Sequence, residues 1–343
     1  MNNNLKFITR FFLVFLSGIL MTGCSFFQGM ETNVKEDGFL YIRSGAVYQE
    51  VLDSLRPKLE NLKSFQSYAD SKDFSEKIKA GKFKLIQGET NKDLLNRLIS
   101  GSQEQVKLRI NNEPTIFHLA GSVSKQIEAD STQIVEAIIE WAQENNPELT
   151  AETVKYYFIP NTYFYFWPTN GTEFVERMMN EFDKVWTEER QQKAEAMNFS
   201  PLEVFTLASI VQMEASKADE QPKVARAYLN RLERGMRLEA DPTSVYAYRL
   251  QNGFNHRIQR VRHGHLATPS EYNTYRVYGL PPAPICLPNL TAVDAVLNPE
   301  EHSFVYFCAD PDRPGYHSFT SNYEEHKRNA AKYRKWLNER GIQ

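Results

Sequence analysis

Ser200 to Asn230 reads SPLEVFTLASIVQMEASKADEQPKVARAYLN, and the fold class turns on how it is parsed. Serine at 200 can cap a helix, Pro201 sits in the first turn where its missing N–H costs nothing, and Glu203 can reach back to close a capping box. A helix therefore starts here. At about 100° per residue, Val204, Leu207, Ala208, Val211 and Ala215 share an apolar face, with Glu214 on its edge between Leu207 and Ile210. A carboxyl aimed at apolar surroundings has its charged form disfavoured, so it can keep a proton near neutral pH and act as a general acid. The plainer alternative is that Glu214 pairs with Lys217 or Arg226 and solvates a helix end.

Working outward, the 343 residues suggest two domains, with 41% hydrophobic and 13% aromatic residues to build their cores. A net charge of −3 argues against nucleic acid as the main partner. Lys6 and Arg10 precede an uncharged apolar run, Phe11 to Gly23, that ends in LMTGC. That is the layout of an export signal, with Thr22, Gly23 and Cys24 resembling a lipobox. The run is shorter than the roughly 20 residues of a spanning helix. Lipidation of Cys24 is thus favoured over an uncleaved signal anchor, and either tethers the body to a membrane outside the cytoplasm. Cys286 and Cys308 can pair in an oxidising compartment, or Cys308 can stay a buried thiol in the strand pattern FVYFC.

Residues 25–37 read as a polar linker. Residues 38–112 follow as a compact α/β module: a strand at Phe39 to Ile42, helices at about 46–61 and 65–80, and a strand at Lys84 to Ile86. A helix capped by Thr90 and a strand at Val106 to Ile110 complete it. Residues 113–200 form a helical and aromatic connecting region. In it Asp130 or Ser131 caps a helix, YYFIPNTYFYFWPTNGT (156–172) is extended or a hairpin, and Glu173 to Met197 is one long helix. After the Glu214 helix comes another from Asp219 to Gly235, with Gly235 as its C-terminal stop. Asp241 before Pro242 is a turn acceptor or helix cap. His263 and His265 have the i, i+2 spacing with which a strand can chelate, but no further ligand type is nearby, so no metal is expected. Residues 271–290 are a proline-punctuated loop of the kind that carries binding groups. The end of the chain reads as short helix, two short strands and a terminal helix. The fold class expected is α+β, a small module followed by a larger mixed catalytic domain.

LASIVQMEA (207–215), NRL (230–232), GMRL (235–238), DPT (241–243), YNTY (272–275), GLPP (279–282) and HSF followed by EEH (317–319, 324–326) stand in one order. Together they resemble the endolytic murein transglycosylases, the YceG-like family, over roughly residues 36–343. The resemblance implies a membrane-tethered enzyme that cuts peptidoglycan strands internally and leaves 1,6-anhydro-N-acetylmuramic acid ends, near sites of new synthesis. It implies no cofactor, a module at 38–112 similar to LysM domains, a catalytic core over 201–343, and peptidoglycan synthases as partners. It places the catalytic glutamate at Glu214. Departures are Gln212 for the first glutamate of an IVEKE-like motif, Asn161 for an aspartate, and CLPN (286–289) for an NPG-like turn. Asp241, Thr243, Asn273, Tyr275 and His317 are the candidates for positioning sugar groups. Two rival functions remain: a muramidase in which Asp241 or Glu239 is the second carboxylate and water the nucleophile, and a wall-glycan-binding scaffold without activity.

Overall fold

The computed structural model describes residues 27–341 other than 256, 257 and 259. Cys24 and the export signal lie outside the described residues. Within them no helix is long and apolar enough to cross a membrane. The chain is α+β and divides into two compact units. One holds the described residues up to Leu108 with Lys125–Ala129 and Phe164–Asn170. The other holds Arg109–Ser124, Asp130–Tyr163 and Gly171 onward.

The first unit runs strand, helix, helix, strand: β1 (Gly38–Ile42), α1 (Tyr48–Leu55), α2 (Leu62–Asp70) and β2 (Gly81–Leu85). β1 and β2 pair antiparallel with Leu40 opposite Phe83, so alternate residues of both strands enter a core with Leu52, Leu55, Phe65 and Phe74. α3 (Asn91–Ser100) closes it, and Thr90 caps that helix by accepting from the Asp93 N–H. The helices are shorter than the spacing predicts, because α1 gives way to a 3-10 turn at Arg56–Lys58 and α2 ends at Ser71. Residues 27–37, expected to be a free linker, are instead packed in. Asn33 is buried and donates to the Asn91 Oδ1 at 2.6 Å and the Asn61 carbonyl at 2.9 Å. Val34 is buried too, and isolated bridges join Thr32 to Thr90 and Val34 to Leu59. Polar composition misled here because buried asparagines satisfy one another.

β3 (Gln105–Arg109) pairs with β4 (Thr162–Phe166). The second unit contains α4 (Ile116–Val123), α5 (Ser131–Asn145) capped by Asp130, α6 (Gly171–Val185) and α7 (Glu188–Ala196). The single long helix expected over 173–197 is thus two, since Thr187 turns extended and caps α7 by accepting from the Arg190 N–H. α8 (Pro201–Glu214) follows, with the Ser200–Glu203 capping box formed. α9 (Gln221–Glu233), α10 (Asp241–Asn252), α11 (His263–Leu266) and α12 (Leu290–Leu297) come next. The hairpin β5 (Tyr306–Ala309) and β6 (His317–Thr320) and the terminal α13 (Tyr323–Glu339) complete the unit.

The apolar face assigned to α8 is too narrow a reading. Every residue from Val204 to Val211 is buried, Thr206 and Ser209 included, and α7, α9, α10 and α12 all pack against it. A helix apolar on all sides belongs in the middle of a core. His263 and His265 lie in a helical turn rather than a strand, with His265 Nδ1 accepting from the Arg262 N–H at 3.0 Å. Cys286 and Cys308 are both free thiols.

Gly171 marks a close approach inside this unit. A Cβ built there would meet the Gln133 carbonyl oxygen at 2.6 Å and Ala137 Cβ at 3.1 Å. Overpacking of that kind costs about 1–3 kcal/mol. Gly171→Ala should lower the thermal unfolding midpoint accordingly, and an unchanged midpoint would show that α5 and α6 separate freely.

Candidate active site

Glu214 is the last residue of α8; Ala215 after it is extended, its N–H bonded back to the Val211 carbonyl. The buried helix carries the carboxyl out of the core and stops, leaving the side chain partly exposed. Two hollows meet there. One, of about 420 Å³, has Glu214 and Asp241 on its wall with Met213, Val245, Phe254 and Ile285. The other, of about 710 Å³, has the same two carboxylates with Tyr228, Arg231, Tyr275 and His317. Both fall within the size of ordinary ligand sites. Their linings differ: the smaller is mostly apolar, the larger aromatic and charged.

Burial pushes the Glu214 carboxyl up to about 8 from its ordinary 4.5, and the negative charges of Asp241 and Glu220 push the same way. The Tyr228 hydroxyl hydrogen-bonds the carboxylate and opposes them. Tyr228 comes from α9, one of the helices packed on α8, and is itself buried. The outcome is a carboxylic acid that keeps its proton at pH 7, the state a general acid needs. Neither Lys217 nor Arg226 plays the neutralising part weighed for it: Arg226 bonds Asn230 at 2.7 Å and Glu233 instead.

Asp241 begins α10 with its carboxylate turned to the hollows, where it accepts from the Tyr275 hydroxyl at 2.7 Å. It caps nothing with its side chain. Burial of its surroundings raises its pKa, and the Tyr275 bond holds it down. His317, on β6, is tied to the buried Glu220 twice, through its backbone N–H at 2.7 Å and its Nδ1 at 2.8 Å. Its ring stands edge-on to Phe307 at 5.4 Å on the wall of the larger hollow. Thr243 and Asn273 lie differently, both fully buried. The Thr243 hydroxyl donates to the Ala240 carbonyl at 2.7 Å and meets the Thr274 hydroxyl at 2.8 Å. Asn273 donates to the carbonyls of Leu266 and Thr268 and accepts from the Tyr275 N–H at 3.1 Å. These two fix the backbone that presents Asp241 and Tyr275, and do not face the hollows.

Several neighbours take roles that the sequence reading did not give them. Thr274 Oγ1 accepts from the Ala240 N–H at 3.0 Å, and its carbonyl accepts from the Glu239 N–H. Glu239 holds φ at +49°, the left-handed region that side chains other than glycine seldom take. Such strain persists where surrounding contacts over-determine it, and it concentrates at sites. Arg231 supplies those contacts. Its guanidinium donates to the carbonyls of Val305, Arg237 and Leu238 and pairs with Glu239 at 3.1 Å. Asn230 beside it donates to the carbonyls of His302 and Phe304. The NRL triplet is thus a clamp on the loop before β5. Ser209 on α8 accepts from the Ile285 N–H at 2.9 Å and fixes another wall. Gln212 accepts from the Asn289 N–H at the start of α12. That job needs only an oxygen acceptor. Among the described residues no group of three or more potential metal ligands converges.

The family model described as the YceG-like family matches residues 40–332. A Bacillus subtilis protein named endolytic murein transglycosylase is 25% identical over 95% of this chain and 92% of its own. A Streptococcus pneumoniae protein of the same name is 25% identical over 94% of this chain, which spans only 64% of that longer relative. The crystal structure of a YceG-like protein from Listeria monocytogenes superposes with a TM-score of 0.58 over 85% of this chain and 98% of its own, at 21% identity.

Two perturbations of Glu214 should act in opposite directions. Tyr228→Phe removes the bond that lowers its pKa, and Asp241→Asn removes the like charge that raises it. A carboxyl titration followed by NMR should move up in the first and down in the second; movement the same way in both would refute the geometry. A native pKa above the unfolded 4.5 means the folded state binds more protons between about 4.5 and 8, so stability falls as pH rises through that window. Glu214→Gln removes this penalty. Its unfolding free energy should exceed that of the parent by a margin that grows up to about pH 8 and then levels off.

Proposed function

Since the chain belongs to the YceG-like family, we propose that it is an endolytic peptidoglycan lytic transglycosylase, cutting the bond between N-acetylmuramic acid and N-acetylglucosamine within glycan strands. The single observation that carries this reading is Glu214, a desolvated carboxyl with a pKa of about 8 where two hollows meet. A polymer lying through both hollows would set one of its bridging oxygens beside a group that holds a proton. The names of the Bacillus subtilis and Streptococcus pneumoniae relatives agree with that substrate.

Glycoside cleavage needs a proton on the leaving oxygen while positive charge builds on the sugar ring, and most glycosidases add a second carboxylate. Here Glu214 gives its proton to the bridging oxygen as the C1–O bond breaks. The C6 hydroxyl of the same muramic acid closes on C1, and the Glu214 carboxylate takes the hydroxyl proton. The acid is regenerated and no water is consumed. A tethered hydroxyl has a high effective concentration, so one carboxyl suffices, and the product end is 1,6-anhydro-N-acetylmuramic acid. Asp241, Tyr275 and His317 position sugar groups directly, and Thr243 and Asn273 through the backbone they hold. The βααβ unit at 38–112 acts as a LysM-like glycan contact. An N-terminal anchor with Cys24 lipidated holds the enzyme at the outer face of the membrane, close to peptidoglycan synthases, where cleavage ends strand elongation.

One observation favours a second reading. Asp241 faces the same two hollows as Glu214, and a carboxylate so placed can activate water and make the enzyme a hydrolytic muramidase. Mass spectrometry of products from purified sacculi separates the two, since the lytic route leaves anhydro ends and hydrolysis leaves reducing ends. Anhydro ends are expected, together with a loss of about 10²-fold or more in Glu214→Gln, the scale of general acid catalysis. Reducing ends alone would establish the muramidase, and undiminished cleavage by the variant would remove Glu214 from the chemistry.

A further inference from the structure

α13 has no fully buried residue, although it lines the larger hollow from Tyr323 to Arg334. Tyr323, Lys327, Ala330 and Arg334 recur at helical spacing and line that hollow with His326 and Tyr333. The aromatic part of this face is ordered. The Tyr306 ring of β5 lies 5.2 Å from the His326 ring, nearly parallel to it, and 5.4 Å from the Tyr323 ring. His326 is half-buried, which lowers its pKa, and its Nδ1 has no hydrogen-bond partner among the described residues. The positive part is open. Lys327 pairs only with the exposed Glu324 on its own helix, over the Tyr323 ring, and Arg334 makes no ion pair among the described residues. The acids lining this hollow are Glu214 and Asp241, shared with the smaller hollow, and Glu239, which Arg231 neutralises close to His326.

The hollow is therefore graded, with carboxylates at the reacting end and cations along the α13 wall. A neutral sugar chain has no use for exposed cations, whereas a sugar carrying a carboxylate-bearing substituent does. Guanidinium and ammonium groups bind carboxylates through charge-assisted hydrogen bonds. We propose that the α13 wall of the larger hollow is a subsite for the peptide stem borne by muramic acid, Arg334 and Lys327 engaging its free carboxylates while the Tyr306, Tyr323 and His326 rings carry the sugar. The subsite makes the enzyme selective for strands that still bear their stems, and this rests on the glycan-cleaving reading given above.

The test uses the full chain with Glu214→Gln, so that strands bind without being cut. Short peptidoglycan strands are offered either with their stems or stripped of them by an amidase and then capped as the methyl amide at the lactyl carboxylate that the amidase exposes, so that the stripped strand is uncharged, and binding is measured by calorimetry at low salt. The Glu214→Gln protein should bind stem-bearing strands about tenfold or more tighter, on the scale of a charge-assisted bond. Adding Lys327→Ala and Arg334→Ala should erase that preference and leave binding of stripped strands unchanged, with Arg334→Lys recovering part of it. Equal binding of the two substrates, or a preference that survives the substitutions, overturns the stem subsite alone. A variant that loses stripped strands as well also overturns it, by placing these cations on the sugar. Binding of neither substrate overturns the glycan reading itself.

Discussion

The structure depends on taking one carboxyl most of the way out of water. Charged carboxylates are rarely left in that position, because desolvation without a partner costs several kcal/mol. Here the protein avoids the cost by leaving the proton on. Glu214 ends a helix whose Val204–Val211 stretch is buried on every side, so its backbone cannot swing away from the core, and Ala215 turns the chain off at once. Nearby charges then tune the result. Asp241 and Glu220 reinforce the protonated form, while Tyr228 steadies the ionised form. A carboxyl held between these two influences can both give up and take back a proton near neutral pH.

What surrounds this carboxyl comes from segments far apart in the chain. Asp241 reaches the site because Thr243 and Thr274 bond to each other and to the Ala240 backbone, drawing the start of α10 against the 272–275 turn. Tyr275 then reaches across to Asp241. The turn is held by Asn273, and the strained Glu239 is braced from below by Arg231. Removing a buried polar group from such a network leaves its partners unsatisfied. That is the physical reason fully buried Thr243 and Asn273 decide the placement of Asp241 and Tyr275 beside hollows they do not face.

The two hollows divide the labour around the carboxyls. The smaller is walled by aliphatic and aromatic groups from α10 and the 285–286 turn. The larger is walled by the β5–β6 hairpin and the outer helix. A ligand with apolar and charged parts in alternation suits such a pair better than a small uniform one does. In the first unit, packed asparagines hold the leading segment against the βααβ core.

Much was legible along the chain because it depends on neighbours in sequence. The Ser200 cap, the Asp130 and Thr90 caps, the hairpin strands and the position of Glu214 near an apolar surface all follow from local spacing and propensity. Local reading failed where the deciding contact is remote. The spacing of 173–197 contains nothing that forbids one helix except a threonine able to cap, and residues 27–37 look soluble until Asn61 and Asn91 come to meet Asn33. Likewise DPT and YNTY mark polar groups without saying which of them face solvent. Only packing decided that Thr243 and Asn273 turn inward while Asp241 and Tyr275 turn out. The sequence by itself determined that an acid would stand on the edge of an apolar helix face, since periodicity is a local property. The tertiary structure alone decided how strongly that acid holds its proton, because desolvation and like charge come from α9, α10 and the segment before α9, brought together by the fold.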